Sequence, residues 1–214
     1  MDIKTTKLGH TFTPEQLAEH FKAIYGGIAW PGKRPGFAVV LGMGRDKQCG
    51  RYNIYQLDEF EATHLLKLIR HCGVLNIQYR PTRWIGDADN VSADRFIHEM
   101  NAESQAYPRD PNEELRHFHV SSTLIMEDTE HPYPYWLDTL QNMLNKDSRQ
   151  LFLKDSKIVG YLNEIDSGEI ADLERGAFPS IEALAMAAIE LRDYGAIIDR
   201  PRPRRHYPPR SAMC

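Results

Sequence analysis

Apolar positions near the start of the chain recur with a helical period. In TPEQLAEHFKAI, residues 13–24, Leu17, Phe21 and Ile24 fall on one face, and Thr13 is placed to cap the first turn. This stretch predicts a helix that leads directly into a first strand.

Three short apolar runs with turns between them come next. They are IYGGIAW at 24–30, GFAVVLGM at 36–43 and RYNIYQL at 51–57. Runs of this length at this spacing are typical of an antiparallel meander. The helical period then returns in FEATHLLKLIRHCG, residues 60–73, with Gly73 placed to end the helix.

The remaining pattern alternates between strands and helices. TRWIG at 82–86 and RQLFLK at 149–154 predict strands, and HFHVSSTLIM at 117–126 predicts a strand or an ordered arm. Helices are predicted at 91–103, 133–144, 158–165 and 180–191. This order predicts an α/β fold with a mixed sheet of about five strands and helices on both faces.

Length and composition indicate one globular domain. The 214 residues are 42% hydrophobic and 26% charged, and no apolar run is long enough to cross a bilayer. The first residues contain no apolar signal core, and the cysteines are scattered without C-x-x-C spacing. We therefore expect a cytoplasmic protein, with 1–198 as a single domain that includes the lead-in helix.

Residues 199–214 form an Arg/Pro-rich tail, which we expect to be flexible because its prolines exclude a helix. The formal net charge of the chain is −4, and the five arginines between positions 200 and 210 leave the remainder near −9. Such an arm either contacts phosphates without reading sequence or is simply a solvated end.

A phosphate-binding loop is excluded by the residues around its partial match. Gly27 to Lys33 fits G-x-x-x-x-G-K, but Arg34 follows where the motif has Ser or Thr. Pro31 removes an amide, and the next residues predict a strand where the motif requires a helix.

Carboxylates fall at three predicted element ends. Asp58 and Glu59 are placed at the end of the third strand, Asp87 and Asp89 follow the fourth, and Glu182 begins the last long helix. Several carboxylates that converge on Mg²⁺ or Mn²⁺ are what two-metal phosphodiester cleavage requires. Each acid also has a structural interpretation as a helix cap or turn residue, and Asp87 fits that interpretation least well.

Other catalytic chemistry has little support in the sequence. His117 and His119 alternate along one strand-like run without a third ligand nearby in sequence. No G-x-S-x-G elbow is present, and no cysteine lies in a nucleophile motif.

Several stretches, taken in order, resemble the nuclease domain of the large terminase subunit of tailed bacteriophages. They are YGGIAWPG with GFAVVLG, IYQLDEFE, WIGDADN, and RQLFLKDSKIVGYLNEI with IEALAMAAIEL, and they span residues 25–192. The resemblance implies an RNase H-like fold and metal-dependent endonucleolytic cutting of double-stranded DNA during genome packaging. It also implies a bacterial host cytoplasm as the location.

The resemblance assigns roles position by position. Asp87 matches the acid after the fourth strand and Glu182 the acid on the last helix, so both are expected to bind Mg²⁺ or Mn²⁺. Asp58 and Glu59 match the acidic end of the third strand and are expected to assist. Ala29 stands where the family has a first-strand aspartate that contacts both metals, which predicts a weakened site.

Partners follow from the same resemblance. Candidate DNA contacts are Lys33 and Arg34 after the first strand and Arg202, Arg204 and Arg205 in the tail. With no phosphate loop in this chain, a packaging ATPase or a portal would be a separate partner. Two alternatives stay open: a non-catalytic DNA-binding or packaging-assembly protein, and a junction-resolving enzyme of the same fold.

Overall fold

A computed structural model describes residues 14–45, 50–86, 91–106, 120–121, 134–144, 150–154, 157–164 and 177–198. Its helices are α1 Pro14–His20, α2 Leu65–Tyr79, α3 Val91–Ala106, α4 Pro134–Leu144, α5 Lys157–Glu164 and α6 Pro179–Ile198. Its strands are β1 Ala23–Ala29, β2 Gly36–Arg45, β3 Tyr52–Ala62, β4 Arg83–Ile85, β5 Val120–Ser121 and β6 Leu151–Phe152.

The described strands form one mixed sheet in the order β5-β4-β1-β2-β3-β6. β1, β2 and β3 make the expected antiparallel meander, while β4 joins β1, β5 joins β4 and β6 joins β3 in parallel. The predicted sheet of about five strands is thus confirmed, and the two-residue strands β5 and β6 form its edges.

Helices cover both faces because β1 is apolar on both sides. Ala23, Tyr25 and Ala29 pack into a core with α4, α5 and α6, whereas Ile24 and Ile28 pack into a second core with α1, α2 and α3. A strand buried on both faces gives the continuous apolar run seen in the sequence. We call these the α6 face and the α2 face of the sheet.

Several helix ends differ from the prediction: α2 begins at Leu65 because residues 60–62 belong to β3, and α6 continues to Ile198. α1 ends at His20 rather than Ile24, because β1 has already begun by then and pairs with β2. α2 continues through Gly73 to Tyr79, since its buried face continues beyond the glycine. It ends at Arg80, which takes the left-handed conformation with φ 49°.

The part of the predicted strand or arm at 117–126 that the structure describes is Val120–Ser121, the edge strand beside β4. None of the helices in the described ranges is long and apolar enough to cross a membrane.

Candidate active site

The candidate site lies at the end of the sheet where β1 stops at Ala29. β4 runs parallel to β1 and places Ile85 beside Gly27. Asp87 comes two residues after β4 ends, but Asp87 and Asp89 both lie outside the described residues.

α6 runs antiparallel to β1, which brings its first turn to this end of the sheet. Gly27 lies against Ala183 near the start of α6, and Gly195 near its end lies against Met43, which pairs with the beginning of β1. Glu182, next to Ala183, is therefore carried towards the end of β1.

Ala29 and Glu182 are both buried near the end of β1. Ala29 is 4% exposed and belongs to the core that contains Ala183, and Glu182 is 9% exposed. The Glu182 backbone N–H donates to the Phe178 carbonyl at 3.1 Å. A carboxylate that is this deeply buried requires hydrogen-bond donors or a cation, and the first turn of a helix favours its negative charge.

The predicted placement of Asp58 and Glu59 at the end of the third strand is wrong. β3 continues to Ala62, because β2 extends back to Gly36 and pairs with β3 over this whole length. Both acids therefore lie inside a strand, where successive side chains point to opposite faces of the sheet.

Asp58 lies on the α2 face, away from Ala29. It pairs with Val40 of the α2-face core, and one of its carboxylate oxygens accepts a hydrogen bond of 2.9 Å from the Tyr79 hydroxyl. Burial raises the pKa of Tyr79, and the charge of Asp58 raises it further. The structure thus does not bring Asp58 together with Glu182.

A β-bulge in β3 decides which face each acid takes. Asp58 pairs with Val40 and Gln56 pairs with Leu41, so Leu57 is an extra residue between two consecutive positions of β2. The extra residue shifts the alternation, so that odd-numbered residues face α6 after the bulge and even-numbered residues do so before it.

Lys154, just after β6, forms hydrogen bonds with two residues at the bulge. Its amine donates to the Leu57 carbonyl, and its backbone N–H donates to the fully buried Gln56 side chain at 3.1 Å. Burial lowers the pKa of the Lys154 amine, while the charges of Asp58 and Glu59 oppose that shift.

Glu59 and Glu61 lie on the same face as Ala29. Glu61 pairs with Phe37, which in turn pairs with Ala29, so the three positions form one row across the sheet. Glu59 accepts hydrogen bonds of 2.9 Å from Gln56 and from the first backbone N–H of α5. It ties β3 to α5.

Glu61 is an acid at this end that the sequence analysis did not select. It forms an ion pair of 2.6 Å with Lys157 and accepts a 2.9 Å hydrogen bond from the Tyr161 hydroxyl. Burial alone would raise the pKa of Glu61, but the hydrogen bonds from Lys157 and Tyr161 and the charge of Lys157 hold it below its ordinary value. The sequence signal for Glu61 was the polar–apolar alternation Glu59-Phe60-Glu61, which is typical of a strand. The sequence analysis ended the strand before these residues and so did not use it.

A pocket of about 290 Å³ opens beside the first turn of α6. Its lining residues are Arg34, Pro35, Phe37, Glu61, Tyr161, Phe178, Pro179 and Ser180. The Arg34 guanidinium lies 4.7 Å from the centre of the Phe178 ring, a cation–π contact between the β1–β2 turn and the segment before α6.

The predicted DNA contacts divide into two groups. Lys33 and Arg34 are exposed in the turn between β1 and β2. Arg202, Arg204 and Arg205 lie outside the described residues.

The described residues alone do not fit a two-metal centre. Among them, no three His, Cys, Asp or Glu side chains lie close enough to hold an ion. Ala29 offers no oxygen ligand, and the Glu61 carboxylate is engaged by Lys157 and Tyr161. Glu182 has the oxygen chemistry that Mg²⁺ and Mn²⁺ prefer.

No protein-family model and no curated protein sequence matches this chain. Among solved structures, it is similar to the large terminase (g2p) nuclease domain of bacteriophage SPP1, which was solved with bound Mn. The TM-score is 0.50 at 18% identity, over 88% of this chain and 95% of that domain.

Two further structures superpose less closely. The large terminase nuclease of a thermophilic phage, solved with bound zinc, gives a TM-score of 0.45 at 13% identity, over 81% of this chain and 82% of that one. Thermus thermophilus RuvC gives 0.38 at 11% identity, over 80% and 97%. The SPP1 likeness confirms the RNase H-like fold and, at the level of the fold, the resemblance to terminase nuclease domains.

Proposed function

We propose that the chain is a metal-dependent DNA endonuclease of terminase type, acting on double-stranded DNA in phage genome packaging and weakened as it stands by Ala29. The observation that carries the proposal is that Ala29 and Glu182 are both buried near the end of β1. β4, the strand that leads to Asp87, lies beside β1, in a fold similar to a terminase nuclease domain.

In this proposal Glu182 and Asp87 hold a divalent cation, and Glu59, which lies on the same face of the sheet as Ala29, assists; Asp58, on the opposite face, takes no part. Mg²⁺ or Mn²⁺ would supply charge neutralisation at the scissile phosphate. The chain's own residues do the rest: Arg34, held over Phe178, and the neighbouring Lys33 attract the DNA backbone to the open end of the sheet.

The proposed setting is the cytoplasm of a bacterial host. Residues 1–198 act as one domain, and the arginines of 199–214 contact DNA phosphates without reading sequence. A packaging ATPase or a portal would be supplied as a separate polypeptide.

A non-catalytic packaging-assembly or DNA-binding protein is the second candidate. It is favoured by the alanine at position 29 and by the ion pair that engages Glu61. In that case the fold would retain its DNA-facing end while its carboxylates serve only to hold helices in place.

Manganese titration by calorimetry separates the two candidates. The endonuclease proposal expects Mn²⁺ to bind the parent chain and Glu182→Gln to abolish that binding, because the amide removes the anionic ligand but keeps its size. Glu19→Gln, an exposed acid of α1, is the matched control. An absence of binding to the parent at millimolar Mn²⁺ would favour the assembly role.

A further inference from the structure

Helix α2 presents an apolar surface to solvent that the fold does not use. Val74 is 53% exposed, Ile77 56% and Leu66 38%, and these are three of the five large apolar side chains exposed in the described part of the chain. The opposite side of α2 is buried against the sheet. Exposed large apolar residues concentrated on one element mark an interaction surface better than scattered ones do.

These side chains belong to one stripe. With 3.6 residues per turn, Leu66, Lys67, Arg70, Val74 and Ile77 all fall within an arc of about 100°, and the stripe is about 16 Å long. All five are exposed. We call them the α2 outer face.

The charge on this face has one sign. Lys67 and Arg70 lie among the three apolar residues, and α2 contains no acidic residue along its length, LLKLIRHCGVLNIQY. Neither cation forms an ion pair with any residue that the structure describes. Two cations within an apolar stripe, neither of them paired with a carboxylate of the described residues, complement a surface of opposite charge.

We propose that the α2 outer face binds an amphipathic helix of another protein, one that carries apolar anchors flanked by carboxylates. Anchors at helical spacing would cover Leu66, Val74 and Ile77, and the carboxylates would meet Lys67 and Arg70.

The same charges disfavour two other occupants. A second copy paired through a two-fold axis would present only the same two cations, Lys67 and Arg70, and no carboxylate to pair with them. Nucleic acid would satisfy the cations but leave three apolar side chains against phosphates and water.

The location suits a partner that leaves the candidate active site open. α2 covers the face of the sheet opposite α6, whereas Ala29 and the start of α6 lie on the other face. The inference therefore does not depend on whether the chain cuts DNA.

The test uses two synthetic helical peptides of about 18 residues, or five turns. Both carry leucines at the i, i+4, i+7 and i+11 positions; one has glutamates and the other lysines flanking the stripe. Binding to the full chain is followed by fluorescence anisotropy. We expect the glutamate peptide to bind with a Kd of tens of micromolar and the lysine peptide at least about tenfold more weakly, as a small charged interface allows.

Two double variants make the test specific. The double variant Val74→Ser with Ile77→Ser should bind the glutamate peptide at least about tenfold more weakly, because the leucine anchors of the peptide lose their apolar contacts. The double variant Lys67→Glu with Arg70→Glu should instead bind the lysine peptide more tightly than the glutamate peptide. All four positions are exposed, and circular dichroism confirms that each variant is folded.

The proposal is overturned if the glutamate peptide fails to bind at millimolar concentration, or if both peptides bind the parent equally. Self-association in sedimentation that Val74→Ser with Ile77→Ser abolishes would instead assign the face to a second copy. Duplex binding that is lost on reversing Lys67 and Arg70, without peptide binding, would assign it to DNA.

Discussion

Gly27 of β1 lies directly against Ala183 of α6. A β-carbon built on Gly27 would come within 1.9 Å of the Ala183 carbonyl oxygen, a distance that no real contact allows. The absence of a side chain at position 27 therefore sets how closely α6 approaches the sheet, and with it the position of Glu182.

Gly27→Ala should consequently force α6 away from β1. We expect a loss of about 2 kcal/mol or more in the free energy of unfolding, measured by urea denaturation, because the blocking atom belongs to the backbone and cannot rotate away. Gly32→Ala is the control, since a β-carbon there meets nothing within 4 Å. Equal stability of the two variants would mean that the approach of α6 is not set by Gly27.

Ala29→Asp should restore an oxygen ligand at the end of β1. We expect manganese-dependent nicking of plasmid DNA to rise by at least about a hundredfold, equivalent to roughly 2.7 kcal/mol of barrier. Because position 29 is buried, the variant should be less stable than the parent without a cation and should recover stability when Mn²⁺ is added. Ala29→Asn, similar in size but uncharged, should rescue neither property. If the aspartate variant folds and binds DNA but cuts no faster than the parent, the result would favour the packaging-assembly role.

Asp87→Asn should remove affinity for Mn²⁺ and leave the protein folded. A ligand carboxylate crowded by other acids is costly to keep charged without its cation, so the amide should cost no stability in metal-free buffer. Calorimetry and thermal unfolding, each with and without Mn²⁺, measure the two effects. Metal binding that survives the change would mean that the site lies elsewhere.

The ion pair between Glu61 and Lys157 should stabilise the fold only between acid and strongly alkaline pH. The pKa of Glu61 is held below its ordinary 4.5, so its contribution is complete above that value and is lost as pH falls further. The pKa of Lys157 is raised above its ordinary 10.5, so its contribution is present below that value and is lost at higher pH. Glu61→Gln should therefore cost stability at pH 7 but little at pH 3.

The size of this effect should be modest. The Lys157 side chain is 62% exposed, so solvent screening limits the pair to below about 1 kcal/mol. Urea denaturation at both pH values measures it, and 1 M salt should reduce the difference at pH 7. A cost that is the same at pH 3 and pH 7 would show that the carboxylate charge contributes nothing.

Deleting residues 200–210 should weaken DNA binding and reduce its dependence on salt. Each phosphate contact that is lost should lower the log–log slope by up to about 0.9. Replacing the five arginines in that segment by glutamine keeps the length of the tail and separates charge from chain length. An unchanged slope would reduce the tail to a solvated end.

The parts of the fold that depend on local pattern were predictable. β1 and β2 are continuous apolar runs, and the first part of α6 has a helical period, so the two strands and the start of this helix appeared close to their observed positions. Their arrangement around the end of β1 followed from the family resemblance, because the sequence alone does not say that β4 pairs with β1.

The parts that depend on distant partners were not predictable. Glu61 is held by Lys157 and Tyr161, which lie about a hundred positions further along the chain. No residue near Glu61 in sequence indicates these two partners. β3 was ended before Asp58 because a polar stretch resembles a strand end, although β2 pairs with all of it. The bulge at Leu57 has no local signature.

That bulge decides which side of the sheet carries the acids of β3. If the same sequence paired with β2 without the bulge, Leu57 would lie opposite Val40 and every residue from Asp58 to Ala62 would exchange sides. Phe60 would then turn towards α5 and α6, while Glu59 and Glu61 would turn into the apolar core beneath α2. One irregular backbone position, and no particular side chain, therefore keeps the negative charge of Glu59 and Glu61 on its present side of the sheet.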